Sequence, residues 1–287
     1  MRNRMKTALI TGASDGIGEQ TARILAGKGW QVAIIGRNPE KTRKVAQDLG
    51  ALCYIADFSR LSEVRTLADQ LLRDFSHIDL LANNAGGIFS KQPLTPDGHE
   101  ITFQVNHLAH FLLTHLLLER LTVSKAMVIN TSSAAHRTPG KDFDPGDMVD
   151  PKRYSQFQAY GNAKLANILF TRELHRRYGS LGLSAAAFHP GVVATSFAKN
   201  IRSPIRLAYH TVLSKLLHMK SPEEGAATLV WLAEGQPGTD WQPGGYYVGC
   251  KAADPSKTAR DEGLAVKLWD MSALLCNAVL KKEPAHA

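Results

Sequence analysis

The stretch AYGNAK sets Tyr160 and Lys164 four residues apart, inside a helical pattern that runs from 152 to 178. On a helix that spacing brings both side chains to one face. A phenol titrates near 10 and is a poor acid or base at neutral pH, but a neighbouring ammonium favours the phenolate and makes tyrosine a usable proton donor and acceptor. The same spacing also fits a surface pair without chemistry. Upstream, VINTSSAAH closes an apolar run with Ser132 and Ser133, whose hydroxyls can donate to a carbonyl oxygen. Open α/β sheets bind ligands at the carboxyl ends of their strands, although serines there also serve as turn or cap residues.

A second candidate site lies near the start of the chain. TGASDGIG, residues 11–18, follows the apolar run 8–10 and leads into a helical pattern, with glycines at 12, 16 and 18. A helix N-terminus offers unpaired N–H groups and a positive dipole end, so a glycine turn entering a helix suits a pyrophosphate. The spacing G-x-x-x-G-x-G is neither G-x-G-x-x-G nor a P-loop, and a tight strand-to-helix turn without ligand has the same signature. The second strand narrows the choice. Where an acidic residue would bind a ribose 2′-hydroxyl, the chain has Gly36–Arg37–Asn38. An arginine can pair with a 2′-phosphate, which favours NADPH over NADH; as a solvated loop residue Arg37 would carry no such meaning.

These groups need a scaffold, and the hydropathy pattern supplies one. Strand-like runs at 7–11, 31–36, 52–56, 78–83, 126–131 and 183–189 alternate with helical patterns such as 17–27, 61–75 and 99–121. Mostly apolar strands separated by helices predict a doubly wound α/β fold, a parallel sheet covered by helices on both faces. No linker interrupts residues 1–287, which read as one domain. With 44% apolar and 21% charged residues the chain is an ordinary globular sequence, and its net charge of +8 is spread out rather than clustered, which argues against nucleic-acid recognition. Cys53, Cys250 and Cys276 form neither a disulfide framework nor a zinc motif. With no apolar signal core and no run near the ~20 residues of a membrane span, the expectation is a cytoplasmic protein without an integral membrane segment.

Taken together, TGASDGIG, NNAG at 83–86, FQVNHLAHFLLTHLLL at 103–118, the serine pair, AYGNAK and HPGVVAT at 189–195 resemble the short-chain dehydrogenases/reductases over nearly the whole chain. FQVNHLAHFLLTHLLLERL, AYGNAKLANILFTRELHRR and PSKTARDEGLAVKLWDMS are most similar to the retinol dehydrogenase-like branch. The resemblance implies a Rossmann-type sheet, NADP(H) as cofactor, and Tyr160 as general acid in carbonyl reduction or base in alcohol oxidation. Lys164 would lower the tyrosine pKa and bond the nicotinamide ribose, Ser133 rather than Ser132 would hold the substrate oxygen, and Asn106 would support a water-linked proton path or tie two elements together as a buried amide. The implied cofactor contacts are Gly12, Ser14, Asp15, Gly16, Ile17, Gly18, Arg37, Asp57, Phe58, Asn83, Ala85, Gly86, Tyr160, Lys164, Pro190, Gly191, Val193 and Thr195; Asp57 would serve equally as a helix cap. The long helix bearing Tyr160 often forms a homodimer face in this family.

Membrane-bound retinol dehydrogenases carry an apolar N-terminal anchor, whereas this sequence starts directly at its first strand. The expectation is therefore a soluble relative acting on a bulky apolar carbonyl or alcohol. Residues 195–220 mix Phe197, Ile201, Ile205, Leu207, Tyr209, Leu213, Leu216 and Leu217 with Arg and Lys, and are the candidate substrate lid; the same side chains would also suit packing on the body or on a partner subunit. His107, His110 and His115 do not share one helical face and read as core or surface histidines, so no metal is expected. Two other protein classes bear on the assignment. A non-catalytic NADP(H)-binding regulator would be marked by loss of the tyrosine or lysine, and a sugar-nucleotide epimerase by another glycine spacing and a longer substrate domain.

Overall fold

Along β1 (Thr7–Thr11) successive side chains serve opposite faces of a sheet: Leu9 joins one apolar cluster, Ala8 and Ile10 the other. The same period of two recurs in β2 (Gln31–Gly36), where Ala33 and Ile35 oppose Val32 and Ile34, and in β5 (Met127–Thr131), where Val128 opposes Met127 and Ile129. A strand buried on both sides has no polar face, which is why these runs read as unbroken hydrophobic stretches. The computed structural model describes residues 4–89, 94–139, 143–148, 155–193 and 220–277.

The remaining strands are β3 (Leu52–Ile55), β4 (Leu80–Asn83), β6 (Ser184–His189), β7 (Tyr246–Val248) and β8 (Lys251–Ala252), and the sheet order is β3-β2-β1-β4-β5-β6-β7-β8. Pairing is parallel from β3 through β7; β8 alone is antiparallel, folding back on β7. These last two short strands fall outside the six that periodicity picks out. The order reverses between β1 and β4, and such a switch point is where open sheets leave a crevice at the carboxyl ends of their strands. Helices α1 (Gly16–Gly27) and α2 (Pro39–Leu49) contribute to one core, and α3 (Leu61–Asp74) to the other.

The helical pattern at 99–121 is interrupted. It comprises α4 (Ile101–Phe103), a π-helical turn (Gln104–Leu108), α5 (Ala109–Leu116) and α6 (Leu118–Val123). Side chains account for the widened turn. Asn106 Nδ2 takes the Thr102 carbonyl at 2.8 Å, and the Asn106 carbonyl in turn meets His110 Nδ1 and Asn167 Nδ2, both at 3.1 Å. With those carbonyls already occupied, the regular i to i−4 ladder gives way, as π-turns often do near functional sites.

The long helix α7 (Gln156–Tyr178), α8 (Pro222–Glu234) and α9 (Glu262–Leu275) complete the described architecture. Trp269 of α9 sits edge-on to Phe111, stacks on Phe170 and lies beneath the Arg177 guanidinium, with ring separations of 5.0 and 5.8 Å and a cation distance of 4.9 Å. The chain's own last described helix thus covers the side of α7 that carries Phe170 and Arg177, and a homodimer contact across that stretch would have to displace it. Among the described residues no helix is long and apolar enough to cross a membrane. Trp269→Ala should cost about 3–5 kcal/mol, the loss expected for a buried tryptophan. A urea midpoint shift no larger than that of a surface substitution would show that α9 is not part of the cooperative core.

Candidate active site

The glycine turn links the end of β1 to α1. Gly12 holds φ +65°, and a Cβ there would lie 2.8 Å from the Ala85 Cα, so the turn and the segment just past β4 can meet only with glycine at this position. Thr11 joins them: its Oγ1 accepts the N–H groups of Asn84 (2.9 Å) and Ala85 (3.0 Å) and contacts His110 Nε2 at 3.1 Å. At the start of α1, Asp15 makes no side-chain cap, and Glu19 is the first residue whose N–H reaches back to a carbonyl. The N–H groups of Gly16, Ile17 and Gly18 are therefore left for an acceptor outside the helix, and Gly12, Ser14, Asp15, Gly16 and Ile17 are all half-buried around them.

Arg37 lies exposed just past β2, and Asn38 caps α2 by accepting the Lys41 N–H at 2.9 Å. Lys41 was not singled out by sequence, yet its Nζ pairs with Asp15 Oδ2 at 3.1 Å across the mouth of the turn. Gly86 is exposed and faces Asn106 Oδ1 and Lys164 Nζ. Pro190 is buried, Gly191 and Val193 are half-buried, and Val193 pairs with Lys220. Thr195 and the rest of the candidate lid short of Lys220 lie outside the described residues.

The side chains of three of the expected cofactor contacts have partners within the protein. Asn83 is 1% exposed, its Nδ2 donating to Thr114 Oγ1 and Asn130 Oδ1; its neighbour Asn84 is the residue that reaches the turn, through Nδ2 to Thr11 O. Phe58 packs its ring edge-on to His110 inside the core. Asp57 accepts the Ser59 N–H in a local turn, and Arg60, not Asp57, occupies the cap position of α3.

The second half of the site lies at the ends of β5 and α7. Ser132 is buried and donates to the Lys164 carbonyl at 2.8 Å, whereas Ser133 is half-buried and accepts the Ala135 N–H. Gly161 lets α7 approach this turn closely, since a Cβ there would lie 2.8 Å from Ala135 O. Lys164 Nζ lies 5.4 Å from the centroid of the half-buried Tyr160 ring and donates to Thr131 O at 3.1 Å. Lys164 is only 3% exposed, and burial pushes its ammonium down from 10.5 to about 7. Asn106 is fully buried; its Nδ2 donates to Gly87 O and Thr102 O, and its Oδ1 accepts the Gly87 N–H.

Sequence reasoning passed over Asn167, whose Nδ2 donates to both Thr131 O and Asn106 O, and set His107 and His110 aside as core or surface histidines. Both histidines are buried, and burial holds them neutral, at about 4 and about 3. The available signals were spacings: Asn167 follows Lys164 by three residues on α7, and His110 follows Asn106 by four. Among the described residues no group of three or more His, Cys, Asp or Glu is placed to hold a metal ion.

The Lys164 burial has a thermodynamic consequence. The unfolded chain keeps this lysine protonated up to its ordinary value, while the folded chain releases the proton from about pH 7. The penalty for burying the charge is therefore fully present below pH 7 and disappears as the pH rises. Lys164→Met should raise Tm most at pH 6 to 7, with the gain over wild type shrinking towards pH 10; a gain that is constant or grows with pH would contradict the assignment.

Comparison with known proteins follows the same lines. The short chain dehydrogenase family profile matches residues 6–145. Mouse retinol dehydrogenase 12 is 39% identical over 280 residues, 94% of this chain and 86% of its own. The candidate daunorubicin C-13 ketoreductase DnrU of Streptomyces sp. (strain C5) is 40% identical over 275 residues, 93% and 91% of the two chains. The crystal structure of an uncharacterised protein from Mycobacterium paratuberculosis superposes with a TM-score of 0.74 at 31% identity, covering 95% and 93%. With a glycine turn at the switch point of its sheet, a Tyr160/Lys164 pair on a helix tied to the Ser132–Ser133 turn, and relatives aligned along nearly its full length, the chain belongs to the short-chain dehydrogenases/reductases, an oxidoreductase of the retinol dehydrogenase-like branch.

Proposed function

We propose that the protein is an NADP(H)-dependent carbonyl reductase, which reduces the aldehyde or ketone of a bulky apolar substrate to the alcohol and can run in reverse as an alcohol dehydrogenase. The observation that carries this reading is the Lys164 ammonium lying 5.4 Å from the Tyr160 ring, on a helix that Ser132, next to the half-buried Ser133, ties to the end of β5, at the carboxyl edge of a sheet whose switch point ends in a glycine cradle. The unpaired N–H groups at the start of α1 and the gap closed by Gly12 fit a dinucleotide pyrophosphate. Arg37 is the candidate partner of a 2′-phosphate, and Lys41 offsets the Asp15 carboxylate, which would otherwise repel that group. When bound, the nicotinamide supplies the hydride.

The chain's own residues do the rest. Ser133 donates its hydroxyl to the substrate oxygen and orients the carbonyl, and Tyr160 gives its phenolic proton to that oxygen as charge develops. The Lys164 ammonium stabilises the phenolate left behind, and Asn106 keeps the Gly86–Gly87 loop and the π-turn together beneath them. Ser132, already bonded to the Lys164 carbonyl, braces α7 instead of touching substrate. The names of the two curated relatives, a retinol dehydrogenase and a ketoreductase, support a lipophilic alcohol or ketone. Three free cysteines agree with a reducing compartment such as the cytoplasm.

A panel of aldehydes and ketones assayed with NADPH and NADH tests the reading. Wild type should consume NADPH with at least one bulky carbonyl compound, and Tyr160→Phe should lose about 10²–10⁴-fold, the contribution of a positioned acid. Equal, slow consumption by both proteins over the whole panel would leave a non-catalytic dinucleotide-binding protein. Arg37→Ala should raise the KM for NADPH about tenfold and leave that for NADH nearly unchanged, the loss of one charge-assisted contact; an equal effect on both cofactors would remove Arg37 as the discriminator.

A further inference from the structure

Behind the Tyr160/Lys164 pair lies a chain of buried polar groups whose hydrogen positions are fixed by their partners. Asn167 Nδ2 donates to Thr131 O at 3.0 Å and to Asn106 O at 3.1 Å, which uses both of its N–H bonds. The oxygen of that amide therefore faces His107 Nδ1, 3.2 Å away, and the imidazole must carry its proton on Nδ1 to donate there. The ring is neutral, so Nε2 is left as an acceptor, and it receives the Ser272 hydroxyl of α9 at 2.9 Å. Ser272, His107 and Asn167 are 0%, 0% and 2% exposed. The imidazole cannot turn freely, because it stacks on Phe103 at 5.3 Å and meets Phe170 edge-on at 5.8 Å.

We infer that His107 is a positioning residue for the Tyr160/Lys164 pair: it locks the Asn167 amide, and through it the Thr131 carbonyl against which the Lys164 ammonium rests. The line runs from Ser272 through His107 and Asn167 to Thr131 O, where Lys164 Nζ also donates. A flipped Asn167 would aim its oxygen at two carbonyls, which disfavour it; His107 adds the donor to Oδ1 that fixes where the unflipped amide sits. The second arm ends on Asn106 O, so the same amide also sets the π-turn from which the Asn106 side chain reaches the Gly86–Gly87 loop. Through this line α9 is connected to the reaction centre, besides covering the aromatic core. Burial keeps the histidine neutral, so it positions without exchanging protons in the working pH range.

Two substitutions separate positioning from packing. In His107→Asn the side-chain amide can replace Nδ1 and still donate to Asn167 while losing Ser272; in His107→Gln the amide replaces Nε2, keeping Ser272 and losing Asn167. Asparagine leaves the larger cavity, so a purely structural role makes His107→Asn the less stable and less active variant. Positioning predicts the opposite order of activity. His107→Gln should lose about tenfold or more in kcat with little change in KM, as small misplacements of reacting groups do, and His107→Asn should stay near wild type in kcat despite its lower Tm.

The kinetic arm rests on the proposed function. A second arm does not: in the dinucleotide-free protein the side-chain amide protons of Asn167, assigned by their disappearance in Asn167→Asp, should be protected from exchange in wild type and His107→Asn and lose that protection in His107→Gln. Equal protection in both variants, or loss in His107→Asn alone, would overturn the inference whether or not a substrate has been found. An inactive wild type with the predicted exchange pattern would count against the carbonyl reductase reading and leave the positioning line standing.

Discussion

The Lys164 ammonium sits almost wholly out of water on α7, and burying a charge is among the least favourable things a fold can do. It donates to the Thr131 carbonyl at 3.1 Å, a dipole and not a carboxylate. The ammonium is consequently held near the point of losing its proton, and charge brought close to it decides its state. Much of the surrounding structure can be understood as support for that position. β5 delivers Thr131, Ser132 ties down the backbone of Lys164 itself, the π-turn places Asn106 against Gly86, and Asn167 holds two carbonyls in register.

The cradle and the acid/base pair are joined by the same kind of connection. Thr11 at the end of β1 holds the N–H groups of Asn84 and Ala85 and touches His110, which reaches the Asn106 carbonyl one turn away. Asn167 meets that carbonyl from the other side. A continuous run of neutral, buried polar groups therefore links the glycine turn to the lysine, with burial holding both histidines uncharged. Such a network is stable only when its members are satisfied, and it specifies one arrangement of the site.

The layered sheet was legible in the sequence because strands buried on both faces are apolar without interruption, and the bounds of β1 and β2 agree with the apolar runs 7–11 and 31–36. The short β7 and β8 gave no such signal, since three and two residues are too few to show a period. The π-turn was illegible for another reason: Phe103 to Leu116 is helical in pattern throughout, and the ladder breaks where side chains capture the Thr102 and Asn106 carbonyls, one of them from 61 residues away. Spacing puts Tyr160 and Lys164 on one helix face, but only the company of the other motifs sets them apart from a surface pair; the side-chain directions of Asn83 and Asn84 depend on where β4 ends, since Asn83 is its last residue and Asn84 lies beyond it, and a repeated letter does not encode that.

The site depends on the state of one lysine, and that state can be observed directly. In dinucleotide-free protein carrying 13Cε-labelled lysine, the Lys164 signal can be assigned by its absence in Lys164→Met and followed by NMR against pH. A midpoint near 7 is the predicted result. A midpoint in the ordinary lysine range, about 10.4, would mean that the ammonium is solvated and that neither the buried network nor the poised pair exists as described.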